Sequence, residues 1–228
     1  DQDDFAMIPG RPIAYWAGAR VRSLFASMPK LADLGEPRRG LQPGNTPKHV
    51  RYWHEVDISN TAFSVDPEEV DRLTRSIKWV GFTSGGDFRK WAGNLRYVVN
   101  WQRSGYDIKN GHNPIVPNEH VYFQQAITWS KVTSSFPSFR KHPAGAIPGD
   151  AGPFAVTQPD LYDAIFASLN ARHTLEFLKI LAPTVNFQVG DVGNVPVLVN
   201  ASASSNVCIL IRYAEADWNS FERSWEFK

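Results

Sequence analysis

The sequence predicts a mixed α/β (α+β) fold, a twisted mixed sheet with flanking helices. Three observations lead there. β-branched and aromatic residues concentrate in three short runs, KWVGF (78–82), LRYVVNW (95–101) and AITWSKV (126–132), a composition that suits a half-buried pleated surface. Turn-rich SGGD, RSGYD and NGHNP lie between them, supplying Gly, Asn and Asp where the chain must reverse. Two apolar patterns of helical period, QPDLYDAIFASLN (158–170) and RHTLEFLKILA (172–182), follow one another almost without a break. They predict a helical hairpin beside the sheet.

In chain order, the first element is an amphipathic helix over 12–28. Pro12 suits its first turn, and Ile13, Trp16, Ala17, Val21, Leu24, Phe25 and Met28 recur at three- and four-residue steps, leaving Arg20 and Arg22 off the stripe. Pro29 to Lys48 is rich in Gly and Pro and reads as a long loop. HVRYWHEV (49–56) reads as a strand. DPEEVDRLTRS (66–76) reads as a short helix, with Asp66 as cap, Pro67 first, and acids facing the positive end of the helix dipole. Thr157 is the expected cap of the 158–170 helix, whose Leu161, Tyr162, Ile165, Phe166 and Leu169 share one face. NFQV and VPVLV read as short strands around Gly190-Asp191, with Asp191 capping the turn. VCILIRYAEADW (207–218) is ambiguous, since β-branched density favours a strand while length and alanine content allow a helix. Asn219 with Glu222 suggests a capping box for a terminal helix.

At 228 residues with 43% hydrophobic content, the chain can bury a sizeable core. A single cysteine, Cys208, excludes an internal disulfide framework and any Cys-based zinc cluster. It suggests a reducing, cytoplasmic setting. No run of apolar residues is long enough for a transmembrane helix. The acidic DQDD start without Met, and the WEFK end, suggest a piece of a longer chain. The net charge of +1 hides an uneven distribution. Residues 11–56 carry eight Lys/Arg against three acids, 72–109 carry eight against two, and 120–143 carry three against none. Such segregation can mark a polyanion-facing side.

Catalytic patterns are mostly missing. His49, His54, His112, His120, His142 and His173 show no metal-ligand spacing. No GxSxG, Walker A or GxGxxG occurs, and there is no (N/D)PP(Y/F) loop of the kind that holds a flipped adenine. Pro159-Asp160 with Glu226-Phe227-Lys228 superficially resembles the PD…ExK pattern of metal-dependent nucleases. However, Pro159-Asp160 reads as the first turn of a helix and the ExK sits in the last three residues.

The residues point instead to anion and DNA contact. In TSGGDFRKWAGN (83–94), Gly85-Gly86 could converge backbone N–H groups on a phosphate that Arg89 and Lys90 also reach. Arg38 and Arg39 in PRRG, with Lys48 and Arg51, supply a second basic segment, and Arg140 and Lys141 in FRKHP a third. A tight turn with ordinary surface cations is the alternative for each.

These segments also occur in a familiar order: FAMIPGRPIAYW, GLQPGNTPKHVRYWHEV, KWVGFTSGGDFRKWAGNLRYVVNW, AITWSKVTSS, FRKHPAG, ASLNARHTLEFLKILAPTVNFQVGDVGNVPV and DWNSFERSWEF. Together they resemble the region C-terminal to the catalytic domain in bacterial adenine-specific DNA methyltransferases. These are the PglX-like enzymes of BREX (bacteriophage exclusion) phage defence and related type II restriction-modification enzymes. The resemblance covers nearly the whole chain. It departs at Ser84, where relatives commonly carry Lys before the glycine pair, and in PGNTP, where Pro43 and Pro47 stiffen the loop. It implies a target recognition domain over 1–228. Residues 1–150 would be its loop-rich, basic, DNA-facing part, and 151–228 a helical hairpin and closing strands. S-adenosylmethionine and the catalytic loop would belong to an upstream methyltransferase domain, which with double-stranded DNA and other defence-system proteins would be the partners. The stretch 181–198 would serve as closing scaffold, with Asn186 and Gln188 bracing it. Two other functions stay open: a protein–protein interaction module in the same defence complex, and, with the weakest support, a metal-dependent nuclease.

Overall fold

The computed structural model describes residues 8–10, 17–200 and 205–227. The helix expected over 12–28 is present as α1 (Ala19–Ser27), and residues 12–16 lie outside the described residues. Phe25 is its buried anchor. It stops at Met28, whose extended backbone (φ −99°, ψ 148°) is what the following Pro29 enforces.

The segment expected as a loop, 29–48, is more ordered than its Gly and Pro content suggests. It holds a one-turn helix α2 (Leu31–Leu34), an edge strand β1 (Gly35–Arg38) and a second one-turn helix α3 (Thr46–His49). Pro37 is tolerated because β1 lies at a sheet edge, where a missing N–H costs no ladder bond. Asn45 accepts from Lys48 N at 3.1 Å, which turns Lys48 outward and buries His49.

The expected strand at 49–56 is shorter, β2 (Val50–Tyr52), and passes into a 3-10 turn. After β3 (Thr61–Ala62), the Asp66-capped turn is found as expected, leading into α4 (Val70–Leu73). The three strand runs become β4 (Trp79–Thr83), β5 (Tyr97–Asn100) and β6 (Ala126–Trp129). RSGYD falls in α5 (Gln102–Lys109), which opens with Arg103, Ser104 and Gly105 all left-handed. Thr74 holds that turn, its carbonyl accepting from Arg103 N at 2.8 Å and its hydroxyl from Ser104 N at 3.2 Å. FRKH, expected only as a basic segment, is strand β7 (Phe139–His142), and β8 (Ile147–Pro148) and β9 (Phe154–Thr157) follow.

Thr157 therefore ends a strand and does not cap a helix. α6 (Tyr162–Asn170) begins without a side-chain cap and forms the expected hairpin with α7 (Arg172–Leu181). The two strands expected around Gly190-Asp191 are instead isolated bridges flanking a short helix, α8 (Val189–Gly193). Asp191 does cap it, accepting from Gln188 N at 3.1 Å. The ambiguous run is helical, α9 (Val207–Asn219). Asn219 closes that helix rather than starting another; its amide donates to Glu226 at 2.9 Å.

The strands sort into two sheets where one was expected. Sheet one has the order β1-β9-β6-β7, all antiparallel. Sheet two has the order β2-β5-β4-β3, with β3 and β8 each pairing β4 in parallel. Each sheet has its own core. Trp129, Phe139, Ile165, Phe166, Phe177 and Leu178 pack between sheet one and the α6–α7 hairpin. Val80, Phe82, Val99, Trp101 and Ile108 pack sheet two against α5. The chain crosses between the sheets repeatedly, so loops from both meet along their seam.

Candidate nucleic-acid interface

At the seam, the turn after β4 lies against the turn after β8. Gly149 N donates to Thr83 O at 2.8 Å, and Ser84 and Gly152 approach so closely that a Cβ on Gly152 would sit 2.9 Å from backbone. The segment after β6 joins them, since Lys131 N donates to Ala151 O at 3.0 Å. The segment after β1 closes the cluster, with Leu41 N on Pro148 O at 2.7 Å and Asp150 N on Leu41 O at 2.9 Å. Gln42 and Ile115 exchange backbone bonds at 2.9 Å and tie in the NGHNP loop.

Two cations meet one carboxylate on this rim. Asp150 Oδ1 accepts from Arg39 Nε at 3.1 Å and lies 3.0 Å from Arg39 Nη2, while Oδ2 takes Lys131 Nζ at 2.9 Å. A cleft of about 240 Å³ opens beside them, lined also by Pro153, Gln188, Val189 and Gly190. Arg38 pairs with Glu36 at 2.9 Å and stays substantially exposed. Lys48 is exposed with no acidic partner among the described residues, and Arg51 turns back on the carbonyls of Pro47 and Val50.

The other four cations named from the sequence are committed inside the fold. Arg89 pairs with Asp217 of α9 at 2.7 Å and lies 4.8 Å over the Trp218 ring. Lys141 pairs with Glu215 of the same helix at 2.9 Å. Lys90 Nζ donates to Asn170 O at 2.6 Å, at the corner of the α6–α7 hairpin. Arg140 is 1% exposed and so faces no solvent; its guanidinium reaches the hydroxyls of Ser138 and Ser130. Burial, then the charge of Arg96, pushes its pKa down to about 10, which leaves it cationic at neutral pH.

The glycine pair is explained by packing. A Cβ on Gly85 would meet Ala151 O at 2.7 Å, and Gly86 (φ +149°) lies against the Asn94 amide. The Gly86 N–H is already taken by Ser130 Oγ at 3.2 Å, so it is not free for the anion nest expected from the sequence. Asp150 and Lys131 were not singled out by sequence reasoning. Asp150 is 111 residues from Arg39, and its only local signal was a carboxylate in a PGDAG turn.

Among the described residues no group of three His, Cys, Asp or Glu side chains is placed to hold a metal ion. Glu226 is engaged by Asn219, and Lys228 of the ExK lies outside the described residues. No described helix is long and apolar enough to cross a membrane. The apolar cleft of about 380 Å³ between Phe136, Leu175, Leu178 and Phe187 has no carboxylate on its walls.

Over an alignment of 238 residues, the chain is 34% identical to the adenine-specific methyltransferase PglX of Lacticaseibacillus casei (strain Zhang), covering 99% of this chain and 20% of that protein. It is also 34% identical over 233 residues to the adenine-specific methyltransferase BrxX of Escherichia coli O9:H4 (strain HS), covering 99% and 18% respectively. The chain thus spans about a fifth of the length of these relatives. No family model matches it. The chain is related to these methyltransferases, as the motif order implied.

Proposed function

We propose that this chain is the DNA sequence-recognition region of an adenine-N6-specific DNA methyltransferase from a phage-defence or restriction-modification system. The observation that carries the reading is the meeting of Arg39, Lys131 and Asp150 on a rim where segments from both sheets converge. Relatedness to PglX and BrxX supplies the reaction class. An adenine stacked inside a duplex exposes its N6 only when flipped out, so the enzyme must first be placed over the correct site by contacts elsewhere. Polar side chains on loops held by a rigid scaffold do this, some touching phosphates and others base edges. In this reading Arg38, Lys48 and Arg51 contact the backbone and the rim enters a groove. Arg89, Lys90, Arg140 and Lys141 serve by holding the rim's scaffold in shape. An upstream methyltransferase domain binds S-adenosylmethionine and carries out transfer, in the cytoplasm.

A second reading is favoured by one feature. The outer face of α9 exposes Ile209, Leu210 and Tyr213 (48%, 38% and 72%), while its inner face is buried through Val207 and Trp218. That apolar face would dock another component of the same defence complex.

The test is selection of bound duplexes from a random pool by this chain. A defined motif should be enriched. Retention of duplexes without any motif contradicts sequence recognition.

A further inference from the structure

We infer that Arg39, fixed by Asp150, is a guanine-reading side chain; the inference rests on the DNA-recognition reading above. Asp150 engages the guanidinium side-on, through Nε and Nη2. On the distal edge, Nη1 makes no hydrogen bond among the described residues, and the outer side of Nη2 meets Gln42 Oε1 at 3.5 Å. The Arg39 side chain is 43% exposed against 21% for Asp150, so the arginine projects past its carboxylate. That edge carries two parallel donors, which match the adjacent O6 and N7 acceptors of guanine in the major groove. Adenine presents a donor at N6 and would oppose one of them.

The carboxylate also argues against a phosphate as the ligand. Asp150 lies within hydrogen-bond distance of both cations and would repel a phosphate brought to the same point. Lys48, exposed with no acidic partner among the described residues, suits phosphate better. The trio instead resembles a side chain immobilised before binding, so little rotamer freedom is left to lose on contact. Lys131 on the second carboxylate oxygen keeps Asp150 from swinging away.

The backbone beneath is equally fixed. Asn118 donates to Arg39 O at 3.2 Å, and a Cβ on Gly40 would lie 2.3 Å from Pro148 O, so the next residue is pressed against the β8 turn. Gln188 lines the same cleft.

The test compares motifs selected from random duplexes by the wild-type chain, Arg39→Ala and Asp150→Asn. Circular dichroism and melting curves confirm that each is folded. The wild-type motif should contain a guanine at which Arg39→Ala loses preference by about 10-fold or more, with other positions unchanged. Asp150→Asn, which keeps shape but releases the arginine, should blur the same position while retaining or raising overall affinity. An unchanged motif in Arg39→Ala overturns the inference and leaves the recognition reading standing. So does an affinity loss uniform across sequences with a shallower salt dependence, since that makes Arg39 a phosphate contact. Absence of any wild-type motif removes the recognition reading and this inference together.

Discussion

Thr83 Oγ1 and His142 Nδ1 lie 2.7 Å apart and join the two sheets, one residue on β4 and the other on β7. His142 Nε2 sits 3.2 Å from Ala146 O. A carbonyl only accepts, so Nε2 carries the proton and Nδ1 accepts from the Thr83 hydroxyl. The ring is thus held neutral between two satisfied bonds, and burial pushes its pKa down to about 4.

This bond predicts acid sensitivity. The folded pKa is depressed below the unfolded value of 6.5, so the unfolded chain binds more protons between these limits. Stability is then fully present above pH 6.5 and falls as pH drops toward 4, by on the order of 3 kcal/mol over the window. His49 and His173 are shifted the same way by burial, so the contribution of His142 must be isolated. Urea unfolding from pH 7.5 to 4.5 should show a steeper loss for wild type than for His142→Gln. Parallel curves would place the acid sensitivity elsewhere.

The corner of the helical hairpin makes a second prediction. Asn170 holds β7 from the side, accepting from Phe139 N at 3.3 Å and donating to Phe139 O at 3.1 Å. Asn170→Ala takes the side-chain acceptor from Phe139 N, while Phe139 O keeps the Trp91 N–H at 2.9 Å, and should cost about 1–2 kcal/mol in chemical unfolding. A cost within error of zero would mean that the hairpin does not depend on this contact.

The charge clamp on α9 makes a third. Exposed ion pairs contribute about 0–1 kcal/mol, but Arg89 also stacks on Trp218, which adds about 0.5–1 kcal/mol. Arg89→Ala should therefore destabilise measurably and speed proteolysis near 207–219, whereas Lys48→Ala should do neither. Equal effects of the two substitutions would contradict the division between scaffold cations and free ones.

How far the sequence anticipated this depends on the range of the interaction. The α6–α7 hairpin, the Asp66 cap and strands β4 to β6 were readable because period and local turn chemistry specify them. Strand β9 was not, because Phe154–Thr157 takes its partners from residues 35–38 and from β6, a distant pairing that leaves no local periodicity. The cation list was readable as composition, yet position decided the roles. Arg89 and Arg38 look alike in a sequence, and only the fold places the distant Asp217 and the Trp218 ring against one while the other pairs with its near neighbour Glu36. Asp150 stayed hidden for the same reason.

A fourth prediction concerns backbone contact. Lys48→Glu with Arg51→Glu should weaken binding about equally for all duplex sequences and reduce the slope of log affinity against log salt by about two. A change in preferred motif instead of slope would move these residues to base reading.

The measurement that tests the central claim most directly is the affinity of this chain for duplex DNA as a function of salt, followed by fluorescence anisotropy. The account predicts binding that weakens steeply from about 50 to about 200 mM salt, as contact with several phosphates requires. Binding that is absent at low salt, or indifferent to salt, in a well-folded chain would contradict it.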